Sequence, residues 1–322
     1  TIEPVLEEFG ISRSKLVSIM TDNGSNVKAA VTQLPTKISP PKPVVNIFCA
    51  AHTLQLSVNV GLDKVHDLII KCKALIRLLS REKKCKQLRE AQISTDKKKT
   101  ETINWNSTYI ALKRLTKLER SIRWLVNDFE NSTNIEHQHD GSNIREKLLS
   151  NNEFQIIRDF IDLLHLFHKA IEFLSGSNYT TLSIMVPTIE ELINHLNNMN
   201  NEFDIINEVK NTILNNLISH WSSPSKYKLY AFLLDPRFKR LSFCSNINDL
   251  LDWWSKQKNQ FPILSILARK YLAISATSIP SEWLFSDAGN HVTSKQNRLD
   301  PHFVDKLLFL KQNLIYVEIF PY

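Results

Sequence analysis

Residues Tyr271–Leu314 read YLAISATSIPSEWLFSDAGNHVTSKQNRLDPHFVDKLLFLKQNL. The stretch opens on small polar residues, with Ser275, Thr277, Ser278 and Ser281 ahead of Glu282. Pro280 and Ser281 suit a first helical turn, where a missing amide costs nothing and a hydroxyl can cap. Glu282 then falls on a helix whose apolar contacts come from Trp283, Leu284, Phe285 and Ala288. Asp300 and Pro301 mark a second helix start, and Phe303, Val304, Leu307, Leu308, Leu310 and Leu314 follow at helical spacing. One carboxylate is thus expected on a packed helix, with an oily helix behind it. The plainer reading of Glu282 is a first-turn acid favoured by the helix dipole.

A chain of 322 residues, 43% of them hydrophobic, is long enough for one large domain with an insertion, or for two domains. Only six glycines disfavour an all-β fold rich in tight turns. Four cysteines without paired spacing point to a reduced, intracellular protein rather than a disulfide scaffold. No run of about 18 apolar residues suggests a membrane span, and no signal peptide is evident. Thr1 sits within helical-looking sequence (Val5, Leu6, Phe9), as expected of a fragment of a longer gene product. The net charge is +7, and Lys64–Lys99 alone carries twelve Lys or Arg against four acids. The remainder is therefore close to neutral. Such a localised excess favours a polyanionic partner, the alternative being a solvated helix face followed by a loop.

Towards the amino terminus, Leu16–Met20 reads as a short strand, Thr21–Ser25 as a turn and Asn26 onward as a helix. Asp22 then lies at the carboxyl end of a strand, where sites form in open α/β sheets, or it simply caps the helix. Val44–Phe48 reads as a second strand. Cys49 and His52 follow three apart at a helix start and can share one face; zinc would need a further ligand pair, which Cys72 and Cys85 do not supply. A long amphipathic helix is expected over 62–88, with Val65, Leu68, Ile69, Cys72, Leu75, Ile76 and Leu79 on one face, and a lysine-rich loop over 87–102. Trp105 is read either as core or as a stacking platform for an unpaired base.

From Tyr109 to about Leu267 the pattern is mostly helical. Ile110, Leu112, Leu115, Leu118, Ile122, Leu125 and Val126 define one helix. Residues 131–142, with His137 and His139, read as a surface loop. A strongly apolar helix over 152–174 is expected to stop at a left-handed Gly176. Its His165 and His168 read as hydrogen-bonded, partly buried side chains. Pro187 is expected to kink or restart the next helix, and residues 203–221 form another. Asp235, ahead of Pro236, starts a turn and is expected to clasp Arg237. No internal repeat and no glycine-rich phosphate loop is present, which argues against an ordinary nucleotide-binding enzyme.

The wording of four phrases closely resembles the hAT family of transposases and their BED-finger-associated relatives. They are TDNGSN at 21–26, the C-x-x-H of Cys49 and His52, LDPRFK at 234–239, and Ser278–Ser286, which follows S-x-x-x-E-R-x-F-S with Trp283 at the arginine position. A fifth, at 102–109, resembles T-R-W-N-S-T-Y with Asn104 replacing arginine. The resemblance implies a helix-rich α/β fold, with an RNase H-like core incomplete at its amino terminus and interrupted by a large all-helical insertion. The expected division is 1–108 for the first part of the core, 109–267 for the insertion, and 268–322 for the last part of the core with the dimerisation segment. Asp22 and Glu282 then match two catalytic, metal-binding acids, supported by Cys49 and His52. Trp105, Lys83, Lys84, Lys97, Lys98 and Lys99 are candidates for nucleic-acid contact, and Phe303, Leu307 and Leu314 for dimerisation.

The function so implied is a nuclear, transposase-derived protein that forms a homodimer or higher oligomer and binds DNA. It has no membrane attachment and no small-molecule substrate. The first catalytic aspartate and the BED finger are expected upstream of Thr1, so this chain alone is not expected to be an enzyme. Mg²⁺ is expected only if the full-length protein is active. Two alternatives stand beside it: a fragment of an active transposase performing Mg²⁺-dependent cleavage and strand transfer, and a helical protein-interaction scaffold.

Overall fold

Apolar residues spaced three and four apart fold most of this chain into helices. The computed structural model describes residues 2–12, 15–22, 24, 45–95, 108–176, 179–222, 225–239 and 247–279. In chain order the elements are α1 (Ile2–Glu8), β1 (Ser18–Thr21), β2 (Val45–Phe48), α2 (Ala50–Leu62), α3 (His66–Leu79), α4 (Glu82–Thr95), α5 (Thr108–Glu130), α6 (Ile135–Lys147), α7 (Asn151–Leu174), α8 (Leu182–Asn198), α9 (Asp204–Trp221), α10 (Lys226–Leu234), α11 (Ile247–Gln257) and α12 (Pro262–Leu272). Short 3-10 turns occupy Asp63–Val65 and Pro236–Lys239. The fold is helix-rich α/β. Among the described residues no helix is long and apolar enough to cross a membrane.

The chain forms two compact units, one of Thr1–Thr53, Ile171–Pro187 and Pro224–Tyr322, the other of Leu54–Ala170 and Thr188–Ser223. The first contains a two-stranded parallel sheet, with Ser18 opposite Val45 and Thr21 opposite Phe48. β1 lies slightly later than Leu16–Met20, ending at Thr21, whose hydroxyl donates to Asn46 Oδ1 at 2.9 Å. In the same unit Tyr271 of α12 packs against Tyr227 and Tyr230 of α10, and the Trp254 indole of α11 donates to the Leu234 carbonyl at 3.0 Å. Gly176 is not left-handed. It is small because Tyr179 lies over it: an added Cβ would come within 2.3 Å of the ring, whose hydroxyl donates to the Phe173 carbonyl.

Among the described residues, every regular element of the second unit is a helix. Leu112, Leu115, Leu118, Ile122, Leu125, Val126 and Phe129 of α5 are buried along one stripe, as an amphipathic helix requires. α7 starts where sequence spacing placed it, and Ser150 and Glu153 close its first turn reciprocally. The Ser150 amide donates to Glu153 Oε2 at 2.7 Å, and the Glu153 amide donates to Ser150 Oγ at 3.2 Å. This is a capping box, and its S-x-x-E spacing is visible in the sequence. Gly61 on α2 faces Ile213 on α9 so closely that a Cβ there would sit 2.4 Å from the isoleucine Cγ1.

Four expected features differ. The helix expected over 62–88 is interrupted by the Asp63–Val65 turn and again at Ser80 and Arg81. At the second break the Ser80 amide and hydroxyl both turn back to the Ile76 carbonyl. The loop expected over 87–102 is helical to Thr95, because Leu88, Ala91 and Gln92 are buried and Thr95 Oγ1 meets Ser121 Oγ at 2.7 Å. Residues 131–142 are no loop beyond Asn134, which caps α6 by accepting from the Glu136 amide at 2.9 Å. That helix is polar, yet Gly141 lets it approach Phe129, and His137 stacks on the same ring at 4.9 Å. Pro187 does not restart a helix; α8 runs continuously through it.

Lys71 of α3 reaches both Glu153 oxygens at 2.9 Å. Partial burial raises the Glu153 pKa, but the bonds from Lys71 and Ser150 outweigh it and hold the carboxyl below its ordinary value. The unfolded chain then takes up that proton first. The contribution is complete above the unfolded pKa of about 4.3 and fades as pH falls through the folded value. We expect Glu153→Gln to lower stability at neutral pH and to flatten the loss of stability below about pH 4.3, as read by denaturant titrations across pH.

Candidate functional site

The junction of β2 and α2 gathers backbone from three distant parts of the first unit. The Cys49 amide donates to the Thr21 carbonyl at 2.8 Å, and the Ala50 amide donates to the Ala276 carbonyl at 2.9 Å. The Ser278 amide donates to Cys49 Sγ at 3.4 Å. The Cys49 carbonyl is taken by the amide and hydroxyl of Thr53, at 3.1 and 2.9 Å, which starts α2. Cys49 is 1% exposed, so its thiol is a structural acceptor inside the fold rather than a surface nucleophile. His52, on the first turn of α2, is half-buried.

Asp22 directly follows the bonded Thr21 and is exposed at the carboxyl end of β1. Its Oδ1 accepts from the Gly24 amide at 3.0 Å, a local turn that fixes the carboxylate. Asp22, Cys49 and Ser278 are thereby brought to one end of the sheet. Glu282, four residues beyond Ser278, lies outside the described residues. So do Trp105, Lys97, Lys98, Lys99, Phe303, Leu307 and Leu314. Among the described residues, no three of His, Cys, Asp and Glu converge where a metal could be held.

Among the described residues, four of the cations in the basic stretch pair with acids that are distant in sequence. Lys64 pairs with Glu208 at 2.7 Å, Lys71 with Glu153, Lys83 with Glu136 and Lys84 with Asp140. Lys84 is buried and Lys83 exposed. Cys72, also on α3, is fully buried; burial, with the Glu153 charge adding to it, pushes its thiol up to about 12. The thiol is therefore protonated at neutral pH.

His165 is the half-buried, hydrogen-bonded side chain expected, whereas His168 is exposed and meets Tyr109 by ring stacking. Tyr109 Oη lies 2.9 Å from His165 Nδ1, its ring stacks on His168 at 4.8 Å, and Lys113 donates to the same hydroxyl at 3.3 Å. The Asp235–Arg237 clasp is present and larger than the sequence suggested. Asp235 is 0% exposed and accepts from the Arg237 amide and Nε and from Ser183 Oγ at 2.6 Å. Arg237 continues to Thr180 Oγ1 at 2.8 Å. Thr180 and Ser183 flank the start of α8, and nothing local in the sequence marks them as partners of Asp235.

Comparison with known proteins places this clasp in a recognised region. Residues 228–314 match the hAT family C-terminal dimerisation region, and the chain carries that region. Two Zea mays proteins, named as the AC and AC9 transposases, are each 27% identical over 150 residues, covering 47% of this chain and 17% of each relative. A human protein, zinc finger BED domain-containing protein 4, is 38% identical over 66 residues, covering 20% of this chain and 6% of its own length. The chain thus matches less than a fifth of the length of these relatives.

Removing the Asp235 carboxylate leaves Arg237 and Ser183 without their common acceptor. Asp235→Ala is expected to destabilise the chain by about 3 kcal/mol, the lower end for breaking a buried ion pair because Arg237 retains some exposure. Urea unfolding checks this.

Proposed function

We propose that this chain is a transposase-derived nuclear protein that self-associates through residues 228–314 and binds DNA without cutting it on its own. The match to a dimerisation region carries the self-association. The names of the relatives support descent from a transposase and, through the BED-finger protein, a place in the nucleus. In this reading the unit holding β1 and β2 is part of an RNase H-like core, and the all-helical unit is its insertion. Phe303, Leu307 and Leu314 supply the apolar face that a second copy covers. Trp105 and the lysines at 97–99 contribute to DNA contact alongside the basic stretch.

The arrangement at Cys49 supports pairing Asp22 with Glu282. Thr21 and Ser278 are both bonded to that one residue, so the strand before Asp22 and the segment before Glu282 arrive together. The carboxyl end of a parallel strand is also where α/β sites form. Asp22 is exposed and held by a backbone amide, which suits a metal ligand. Two-metal phosphoryl transfer needs several carboxylates converging on ions about 4 Å apart, where the metals activate the attacking oxygen and steady the leaving one. Asp22 and Glu282 would hold Mg²⁺ only as part of a larger acid set. Asn104 and Trp283, where the family has arginine, remove two cationic side chains.

Two measurements test the reading. Sedimentation velocity is expected to give about twice the chain mass, and Leu307→Asp, which puts a charge into an apolar stretch of sequence, is expected to give the single-chain mass. A monomer in both cases removes the self-association. Mg²⁺-dependent nicking of supercoiled DNA is expected to be absent; robust cutting that Glu282→Gln abolishes would establish the active-transposase alternative instead.

A further inference from the structure

The helical unit contains a cleft of about 600 Å³ between α3 and the start of α5. Lys73 and Arg77 line it from α3 and Arg81 from just beyond that helix, Thr108 and Ala111 line it from α5, and the largely buried Ile76 adds an apolar edge. Lys73 and Arg77 are one helical turn apart, about 6 Å along the axis, and Arg81 continues the row just past the helix end. All three are exposed, and none has an ion pair among the described residues. This sets them apart from Lys64, Lys71, Lys83 and Lys84, whose charges are held by acids. Among the described residues, no Asp or Glu lines the cleft. Thr108 is also the first residue of a 23-residue helix, whose amino end adds partial positive charge.

A row of cations over a partly apolar trough discriminates between polyanions. A DNA duplex turns its bases inward and offers only phosphates, so it would leave Ile76 and Ala111 unused. A single strand offers phosphates about one helical turn apart together with bases free to lie on an apolar surface. The volume falls within the range that takes a drug-sized ligand, about 300–1,000 Å³, which suits a nucleotide or two rather than a duplex. We propose that this cleft binds single-stranded DNA, with Lys73, Arg77 and Arg81 on successive phosphates and a base against Ile76 and Ala111. The proposal rests on the DNA-binding reading above and assigns that activity to a defined surface and a defined form of DNA.

Fluorescence anisotropy with the 322-residue chain and a labelled oligothymidylate tests it, across a salt series and against the matching duplex and polyglutamate. The triple variant Lys73→Gln, Arg77→Gln, Arg81→Gln is expected to bind about tenfold or more weakly. The slope of log affinity against log salt should fall by about 2, as for three lost phosphate contacts on a single strand. Arg120→Gln with Lys169→Gln, two exposed cations outside both the cleft and the Lys64–Lys99 stretch, is expected to leave binding unchanged, and Lys73→Arg to retain it. If the wild-type chain binds the strand and the triple variant binds equally well, the cleft assignment fails while DNA binding stands. If the wild-type chain binds no DNA, the wider reading fails too. Equal affinity for duplex, or tighter binding of polyglutamate lost in the triple variant, would overturn the choice of occupant.

Discussion

The residue pair Cys49 and Ala50 fixes more of the first unit than its size suggests. Its two amides donate to the carbonyls of Thr21 and Ala276 and its thiol accepts from the Ser278 amide, so three sections of chain far apart in sequence meet where α2 starts. Buried backbone donors and acceptors need partners, and each bond here satisfies one at a strand or helix boundary. The thiol suits the position because sulfur accepts weakly and packs as a small hydrophobe, so it can lie buried at 1% exposure beside a backbone amide. The exposure of Asp22 and the route of the chain towards Glu282 both follow from this meeting point.

The second unit is held differently. Its apolar helices bury continuous stripes, but its polar helices depend on partners elsewhere. α6 has little to bury beyond Gly141 and Ile144, and it is secured by its Asn134 cap and by Glu136 and Asp140 on Lys83 and Lys84. Exposed pairs such as Lys83–Glu136 contribute little singly. The Lys84–Asp140 pair differs, because the buried Lys84 charge would be costly without its partner.

This contrast explains what could be read from the sequence. The helices α5, α7 and α9 were legible because three-and-four spacing of apolar residues is a local signal. The strands near Ser18–Thr21 and Val45–Phe48 and the Asp235–Arg237 clasp are legible for similarly local reasons, whereas the Tyr109 hydroxyl that meets His165 comes from 56 residues away and carries no local signal. Residues 131–142 were misread because the forces holding that helix come from α4 and α5, which composition does not reveal. The break at Ser80 depends on one hydroxyl turning back to Ile76, a choice that amphipathic spacing cannot register. At the candidate site, Asp22 at a strand end was legible from its turn residues. The charges of Lys83 and Lys84 could be counted, whereas their neutralisation by Glu136 and Asp140 is a property of the fold.

Cys72 has one more consequence. A thiol with no exposure and an acidity suppressed to about 12 is invisible to alkylating reagents while α3 stays packed. Cys85, only half-buried on the next helix, sits closer to solvent. The pair forms an internal clock: the lag between labelling of the second and of the first would time the opening of the helical unit, without any probe being added to the chain.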